Sequence, residues 1–410
     1  MKIPFSPPDI TEKEIEEVVE TLKTGWITTG PKTKALEKKI AEYIGAKKAV
    51  CLNSATSAME MTLRILGIGP GDEVITTAYT YTASASVINH VGAKIVLVDT
   101  APNSYEMDYR EMAKAINSRT KAIIPVDIAG KMCDYDEIFS VVDEKKHLFK
   151  SDNDIQKRFN RVIVMADSAH AFGAERNGVK SGLAADFSCF SFHAVKNLTT
   201  AEGGAVVWGG NQSLDHEWLY NQFMLYSLHG QSKDALSKSK AGSWEYDVVY
   251  PAFKCNMTDI MASIGLVQLE RYEQLVTRRK EIIEIYDKGL APLRIEMLKH
   301  KDENYTSSGH LYFIRIPGFG EDDRNELIKK MAQDGVVCNV HYKPLPMLTA
   351  YEKLGFNIAN FPNAFRQYVN QVSLPLHTKL SNSDVKYVIE CLEKNLYLME
   401  YRTRKIINSK

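Results

Sequence analysis

Short apolar runs dominate the first half of the chain, and helix-compatible stretches separate most of them. The runs are AVCL (49–52), EVITT (73–77), KIVLVD (94–99), KAIIPV (121–126), RVIVMA (161–166), FSCFSF (187–192) and GAVVW (204–208). Buried runs of this length with helices between them are the mark of strands covered on both faces. The pattern predicts an α/β fold built on a large, doubly wound, mostly parallel sheet. Two helices precede it. Thr11 and Glu14 have capping-box spacing, Ile15, Val18, Val19 and Leu22 follow at helical intervals, and Gly25 ends the run. A second helix is predicted from Lys32 to Ile44, stopped by Gly45.

Two stretches read as insertions or mobile loops, 144–160 and 227–256, because both are rich in polar residues and too long for ordinary connections. From about Ile260 one long helical pattern runs to about Leu290. Beyond it the pattern predicts a strand at 310–316, a helix at 322–333, a strand at VVCNV (336–340) and a last helix at 382–396. The division expected is a large α/β unit over 1–260 and, over 261–410, a linker helix followed by a smaller α+β unit.

Composition narrows the function. Lys plus Arg and Asp plus Glu number 51 each, so net charge offers no reason to expect nucleic acid or a membrane surface as partner. No apolar run is long enough to predict a membrane span, the N-terminus lacks a signal-peptide core, and the expected compartment is the cytoplasm. The six cysteines lie far apart, with no CxxC pair, which predicts free thiols and no metal centre. The one glycine cluster, Gly67-Ile68-Gly69-Pro70-Gly71, is not GxGxxG and precedes a strand, which argues against a nicotinamide-dependent oxidoreductase.

Candidate chemistry collects at the predicted strand ends, where open α/β sheets bind ligands. Lys196 follows a strand and enters a Gly-rich turn in SFHAVKNLTTAEGGA. Asp167 follows the strand RVIVMA and opens DSAHAFGA, with His170 three residues on. Ser54, Ala55 and Thr56 sit where a strand gives way to a helix, and free amides at a helix N-terminus suit a phosphate. Ser191 adds a hydroxyl, and Tyr81, which begins the helix predicted after EVITTAYT, a flat ring. Each has an ordinary structural reading: a solvated lysine, an N-cap, a satisfied histidine, a packing aromatic. Together they supply what pyridoxal 5′-phosphate (PLP) requires: an amine for the aldehyde, an acid for the pyridine nitrogen, a phosphate cup and a stacking group.

These residues carry a resemblance. The sequence resembles the DegT-type (DegT/DnrJ/EryC/StrS) sugar aminotransferases over nearly its whole length. GWITTGPKTKALEKKIAEYIG, NSATSAMEMTL, GDEVITTAYTYTASASVI, ADSAHAFGA, FKCNMTDIMASIGLVQL and VSLPLH are similar to family segments, and SFHAVKNLTTAEGGA is the most specific. The resemblance implies a fold type I PLP-dependent transferase with Lys196 as the Schiff-base lysine, Asp167 on the pyridine nitrogen and His170 on the ring hydroxyl. It further implies a homodimer with shared active sites, a nucleotide-linked keto sugar as acceptor and glutamate as amino donor. Departures are Ala166 where the family often has Glu, and AFKCN where it commonly reads GFNYR or GYKYN. Lys254 then takes the position reaching the partner's phosphate, and Cys255 replaces Tyr. HYKPL (341–345) resembles a segment near the substrate, which nominates His341. Stretch 144–160 is longer than the usual family linker. Rival readings are a PLP-dependent sugar dehydratase, in which His would replace the Schiff-base lysine, and a non-catalytic sugar-binding regulator with the same fold.

Overall fold

A computed structural model describes residues 2–209, 214–233 and 245–407, with side chains to Met399. All seven expected runs are strands of one sheet: β1 (Ala49–Leu52), β2 (Glu73–Thr77), β3 (Lys94–Val98), β4 (Thr120–Ile124), β5 (Ile163–Asp167), β8 (Phe187–Ser191) and β9 (Gly204–Trp208). Between β5 and β8 lies a small hairpin, β6 (Glu175–Arg176) with β7 (Val179–Lys180). The order across the large sheet is β1-β9-β8-β5-β4-β2-β3. Only β9 runs against the rest, antiparallel to both β1 and β8. Nearly every strand position is buried, as the unbroken apolar runs require.

The helices form where the caps say. Helix α1 (Glu12–Thr24) carries the Thr11–Glu14 capping box and stops at Gly25 in the left-handed region, φ 72°. Its apolar repeat does not face the core, however. Ile15, Val19 and Leu22 are exposed, whereas Glu14 is 1% exposed and takes hydrogen bonds from Arg271 and Gln268. Helix α2 (Pro31–Ile44) starts after Gly30, which has no side chain to cap it. A distant carboxylate does so instead: Asp259 accepts from the amides of Gly30, Lys32 and Thr33 at 2.8–3.0 Å.

Three expectations need correction. Stretch 144–160 is not a loose loop, since it contains a helix, Asp154–Phe159, docked on the large unit. Asn153 and Gln156 donate to the carbonyl of Leu66, and buried Lys121 pairs with Asp152 at 2.6 Å. The long pattern after Ile260 is two helices, Asp259–Glu270 and Tyr272–Leu290, broken at Arg271. Run 336–340 is not a strand. It makes isolated bridges only, Val336 to Ile3 and Asn339 to Ser373. Of stretch 227–256, residues 234–244 lie outside the described residues. Its two arms pair through Gln231 with Val248 and Leu228 with Lys254, so both are ordered.

The C-terminal part has its own sheet, β10 (Glu296–Met297), β12 (Tyr312–Arg315) and β13 (Gln371–Leu374), all antiparallel. Strand β11 (Tyr305–Thr306) instead joins the hairpin β6–β7. Helices Glu321–Gln333 and Asn382–Ile407 pack with this sheet around Tyr312, Ile314, Leu327 and Leu392. Ile3, at the start of the chain, belongs to the same cluster. All six cysteines are buried and unpaired. Among the described residues no helix is long and apolar enough to cross a membrane.

Candidate active site

The C-terminal ends of the parallel strands open into a cavity of about 390 Å³. Ser54, Ala55, Thr56, Tyr81, Asp167, His170, Ser191 and Lys196 all line it. Eight residues scattered over 140 positions therefore meet because each sits just past, or at the end of, a strand.

One wall is the N-terminus of helix α3 (Ala55–Ile65). Ser54 is its N-cap and accepts from the amide of Ser57 at 3.0 Å. The ordinary capping role is thus real, and it leaves the first-turn amides and the positive end of the helix dipole facing the cavity. Beneath this turn runs Gly204, flanked by Leu52 on β1 and Ser191 on β8. A Cβ on Gly204 would lie 2.4 Å from the Ala55 nitrogen and 2.7 Å from the Phe190 carbonyl oxygen. Only glycine lets β9 pass so close under the cup.

The opposite wall carries the titratable groups. Asp167 is buried at the end of β5, accepting from Ser84 Oγ at 2.6 Å and from the amide of Ala169 at 3.2 Å. Burial raises its pKa, and the Ser84 hydrogen bond opposes the rise. A buried carboxylate of this kind favours a cationic partner. His170 is held neutral by burial, with its pKa well below the usual value. Its Nδ1 faces the amide of Ala129 at 3.2 Å and must accept, so the ring proton sits on Nε2, where it can be donated into the cavity or to Tyr342 at 3.2 Å. Lys196 is partly buried, and desolvation lowers its pKa to about 8, with Asp167 opposing the shift. An amine with that value is still mostly protonated at pH 7, but its neutral, nucleophilic fraction, about a tenth, far exceeds that of a solvated lysine. Tyr81 is 58% exposed, two residues ahead of helix α4 (Ala83–His90) rather than opening it, and its ring lies tilted against that of Tyr342 with centroids 5.7 Å apart.

Two nominated residues lie elsewhere. His341 is not among the residues lining the cavity; it stacks on Phe5 at 5.3 Å and is bonded to Ser373 Oγ at 2.8 Å. Its neighbour Tyr342 lines the cavity instead and touches His170. The segment HYKPL was therefore informative, but adjacent residues project to different sides. Lys254 does not line the cavity of its own chain. It is exposed, with Nζ against the Asn256 side chain, while Cys255 next to it accepts from the amide of Asn53 at 2.8 Å. Thr80, Ala169, His193, Glu202 and Gly203 also line the cavity. Glu202 and Gly203 lay within the quoted Schiff-base motif without being singled out.

A nucleophilic amine, a buried acid, a neutral imidazole donor and a glycine-floored helix N-terminus fit a flat pyridine aldehyde bearing a phosphate. Fold and site together define an α/β aminotransferase of the PLP-dependent type. The family model described as the DegT/DnrJ/EryC1/StrS aminotransferase family matches residues 8–393, and the chain belongs to that family. It is similar over 96% of its length to the structure "Putative sugar aminotransferase Spr1654 from Streptococcus pneumoniae, PMP-form", with 56% identity, a TM-score of 0.94 and 99% of that chain covered. A PLP form of the same protein matches with 54% identity and a TM-score of 0.93, covering 96% of this chain and 98% of that one. Spore coat polysaccharide biosynthesis protein SpsC of Bacillus subtilis is 36% identical over 396 residues, covering 95% of this chain and 96% of its own. Helicobacter pylori PseC, an aminotransferase involved in the biosynthesis of pseudoaminic acid, is 29% identical with a TM-score of 0.84, covering 96% and 99%.

Proposed function

We propose that this sugar aminotransferase moves an amino group from glutamate to a keto carbon of a UDP- or dTDP-linked sugar, in the cytoplasm, for amino-sugar or cell-surface polysaccharide biosynthesis. The observation that carries the reading is the meeting of Lys196, Asp167 and the α3 N-terminus in one cavity. The cofactor is PLP, which when bound supplies a protonated pyridine ring that draws electron density from the carbon being deprotonated. Lys196 would hold it covalently and would carry the proton at the reacting carbon. Asp167 keeps the pyridine nitrogen protonated. His170 donates to the ring hydroxyl, Tyr81 covers a ring face, and Ser54, Ala55, Thr56 and Ser191 hold the phosphate. The printed names of the B. subtilis and H. pylori relatives support an amino-sugar or polysaccharide product.

The same reading makes the enzyme a homodimer in which Lys254 reaches the partner's cofactor phosphate. The exposed Lys254 and the exposed apolar positions of α1 support this. His341 is kept as a residue near the substrate, acting behind Tyr342. Residues 1–260 serve as the cofactor-binding unit and 261–410 as the linker and smaller unit, supported by the separate hydrophobic cluster around Tyr312 and Leu392. The test is incubation of purified protein with PLP, glutamate and a panel of UDP- and dTDP-keto sugars, read by mass spectrometry. Formation of one amino sugar with matching 2-oxoglutarate is expected. A protein that deaminates glutamate but aminates no keto sugar in the panel would overturn the acceptor assignment.

A further inference from the structure

The loop that bears Lys196 does not stand alone. Asn197, the next residue, is buried and uses both ends of its amide on one distant turn. Its Nδ2 donates to the Ser308 carbonyl at 2.8 Å, and its Oδ1 lies 2.9 Å from His310 Nδ1. An amide oxygen only accepts, so His310 must carry its proton on Nδ1. The turn 307–310 also reaches the other catalytic limb. Ser308 Oγ donates to the His170 carbonyl at 2.5 Å, and the rings of His170 and His310 lie 4.3 Å apart. Backbone bonds from Ser308 to Gly130 and from His310 to Ala129 close the circuit at the end of β4. The approach is tight enough that a Cβ on Gly130 would sit 2.1 Å from Ser308 Oγ. Finally, Arg279 of the linker helix donates to the carbonyls of Gly309 and Leu376 at 3.2 and 3.0 Å, tying the turn to the smaller unit.

We infer that His310 and Asn197 are positioning residues, forming a brace by which the 307–310 turn fixes the pose of Lys196 and keeps its amine within the desolvated cavity. Neither reaches the reacting atoms. The inference rests on Lys196 being the cofactor lysine, but its test needs neither cofactor nor substrate. Other groups whose charge acts on Lys196 are Asp167, which favours the ammonium, and His170, His310 and His341, which burial keeps neutral. Loss of the brace therefore returns Lys196 toward the ordinary lysine range by hydrating it.

The experiment is competitive acylation of the cofactor-free protein with acetic anhydride across pH, with Lys196 modification read by peptide mass spectrometry. Wild type is expected to titrate near the lowered value of about 8. In His310→Ala and Asn197→Ala the midpoint is expected to move up by about one pH unit or more, toward the free lysine value. His310→Asn, whose side-chain amide can still donate to Asn197, is expected to restore most of the shift. In the loaded enzyme, kcat is expected to fall about 100-fold for His310→Ala. A variant that is folded by circular dichroism, melts lower and leaves the Lys196 midpoint unmoved would show a merely structural role and overturn the inference. Should His310→Ala fail to fold, Asn197→Ala cuts the same link from the loop side and decides alone. A wild-type protein with this titration that aminates no sugar would sink the functional reading and leave the brace standing.

Discussion

At the scale of single residues, the proposed chemistry turns on two desolvated charges, one on Lys196 and one on Asp167. Lys196 is the clearer case. Its folded pKa of about 8 lies below the unfolded value, so folding of the cofactor-free protein works against the ammonium at neutral pH. The sign follows from linkage: above the unfolded value the amine is neutral in both states and there is no cost. The cost grows as pH falls from there to about 8 and is full below it. At about 1.4 kcal/mol per pH unit the gap corresponds to up to ~3 kcal/mol. Lys196→Met is therefore expected to raise the melting temperature of the cofactor-free protein at pH 7, with the difference shrinking as pH rises toward 10. It should abolish both covalent cofactor attachment and turnover. Calorimetry at pH 7 and 9.5 checks this, and equal melting of the two proteins at pH 7 would sink the argument. Asp167 presents the opposite charge. Asp167→Asn retains an acceptor for Ser84 but cannot hold a proton on the pyridine nitrogen, so the variant is expected to bind PLP while losing about 100-fold or more in kcat. Near-normal rates in Asp167→Asn would mean that another group protonates the ring. That Lys196, Asp167 and the turn 54–56 meet in one cavity was legible in the sequence because each sits at or just past a strand end, a place that periodicity marks. Tyr342 was not, because its segment has no periodicity to say which side a residue takes.

At the scale of elements, local signals succeeded wherever the deciding contact was local. All seven large-sheet strands were legible because strands covered on both faces, the antiparallel β9 included, need unbroken apolar runs. The capping box and Gly25 likewise marked both ends of α1. Two of the failures share one cause, a long-range polar contact. Arg271 breaks the long helical pattern with no Gly or Pro to announce it, and its guanidinium is taken up by Asp9 and Glu14, more than 250 residues away. Stretch 144–160 looks like solvated loop because its Asn and Gln side chains are spent on the carbonyl that ends α3. The proposed cofactor cup is a junction of elements too, and at Gly204 it is tight. The atoms a Cβ would meet there are backbone of Ser54, Ala55 and Phe190, which cannot swing aside as a side chain would. Gly204→Ala is thus expected to push the α3 N-terminus away from the sheet. Overpacking of this kind costs about 1–3 kcal/mol of stability. The more specific effect is on PLP affinity, expected to weaken at least about 10-fold because first-turn amides no longer converge on one point. Spectroscopic titration with PLP measures it, and unchanged affinity in a destabilised Gly204→Ala would separate the floor of the cup from its function.

At the scale of the whole molecule, several apolar side chains and one ammonium lie exposed among the described residues. Ile15, Val19 and Leu22 on α1 are exposed although they repeat as a core face would, and Val248, Val249 and Phe253 are exposed in the segment leading to Lys254. Lys254 itself points at no group of its own cavity. A C2 dimer accounts for all of these at once, since each chain would cover the other's apolar surface and place one ammonium on the other's cofactor phosphate. Ammonium to phosphate is a charge-assisted contact, stronger than a neutral hydrogen bond. The decisive experiment uses two variants expected to be inactive at low PLP, Lys196→Ala and Lys254→Ala. Mixed in equal amounts after dissociation and allowed to reassociate, they form hybrids in which Lys196 of one chain and Lys254 of the other complete one intact site. With random pairing about a quarter of all sites are intact, so activity is expected to recover to about a quarter of wild type. Hybrids that demonstrably form, from a Lys254→Ala protein that is inactive alone, and that recover nothing would show that Lys254 serves its own chain. Full activity of Lys254→Ala alone would show that the ammonium is an ordinary solvated charge.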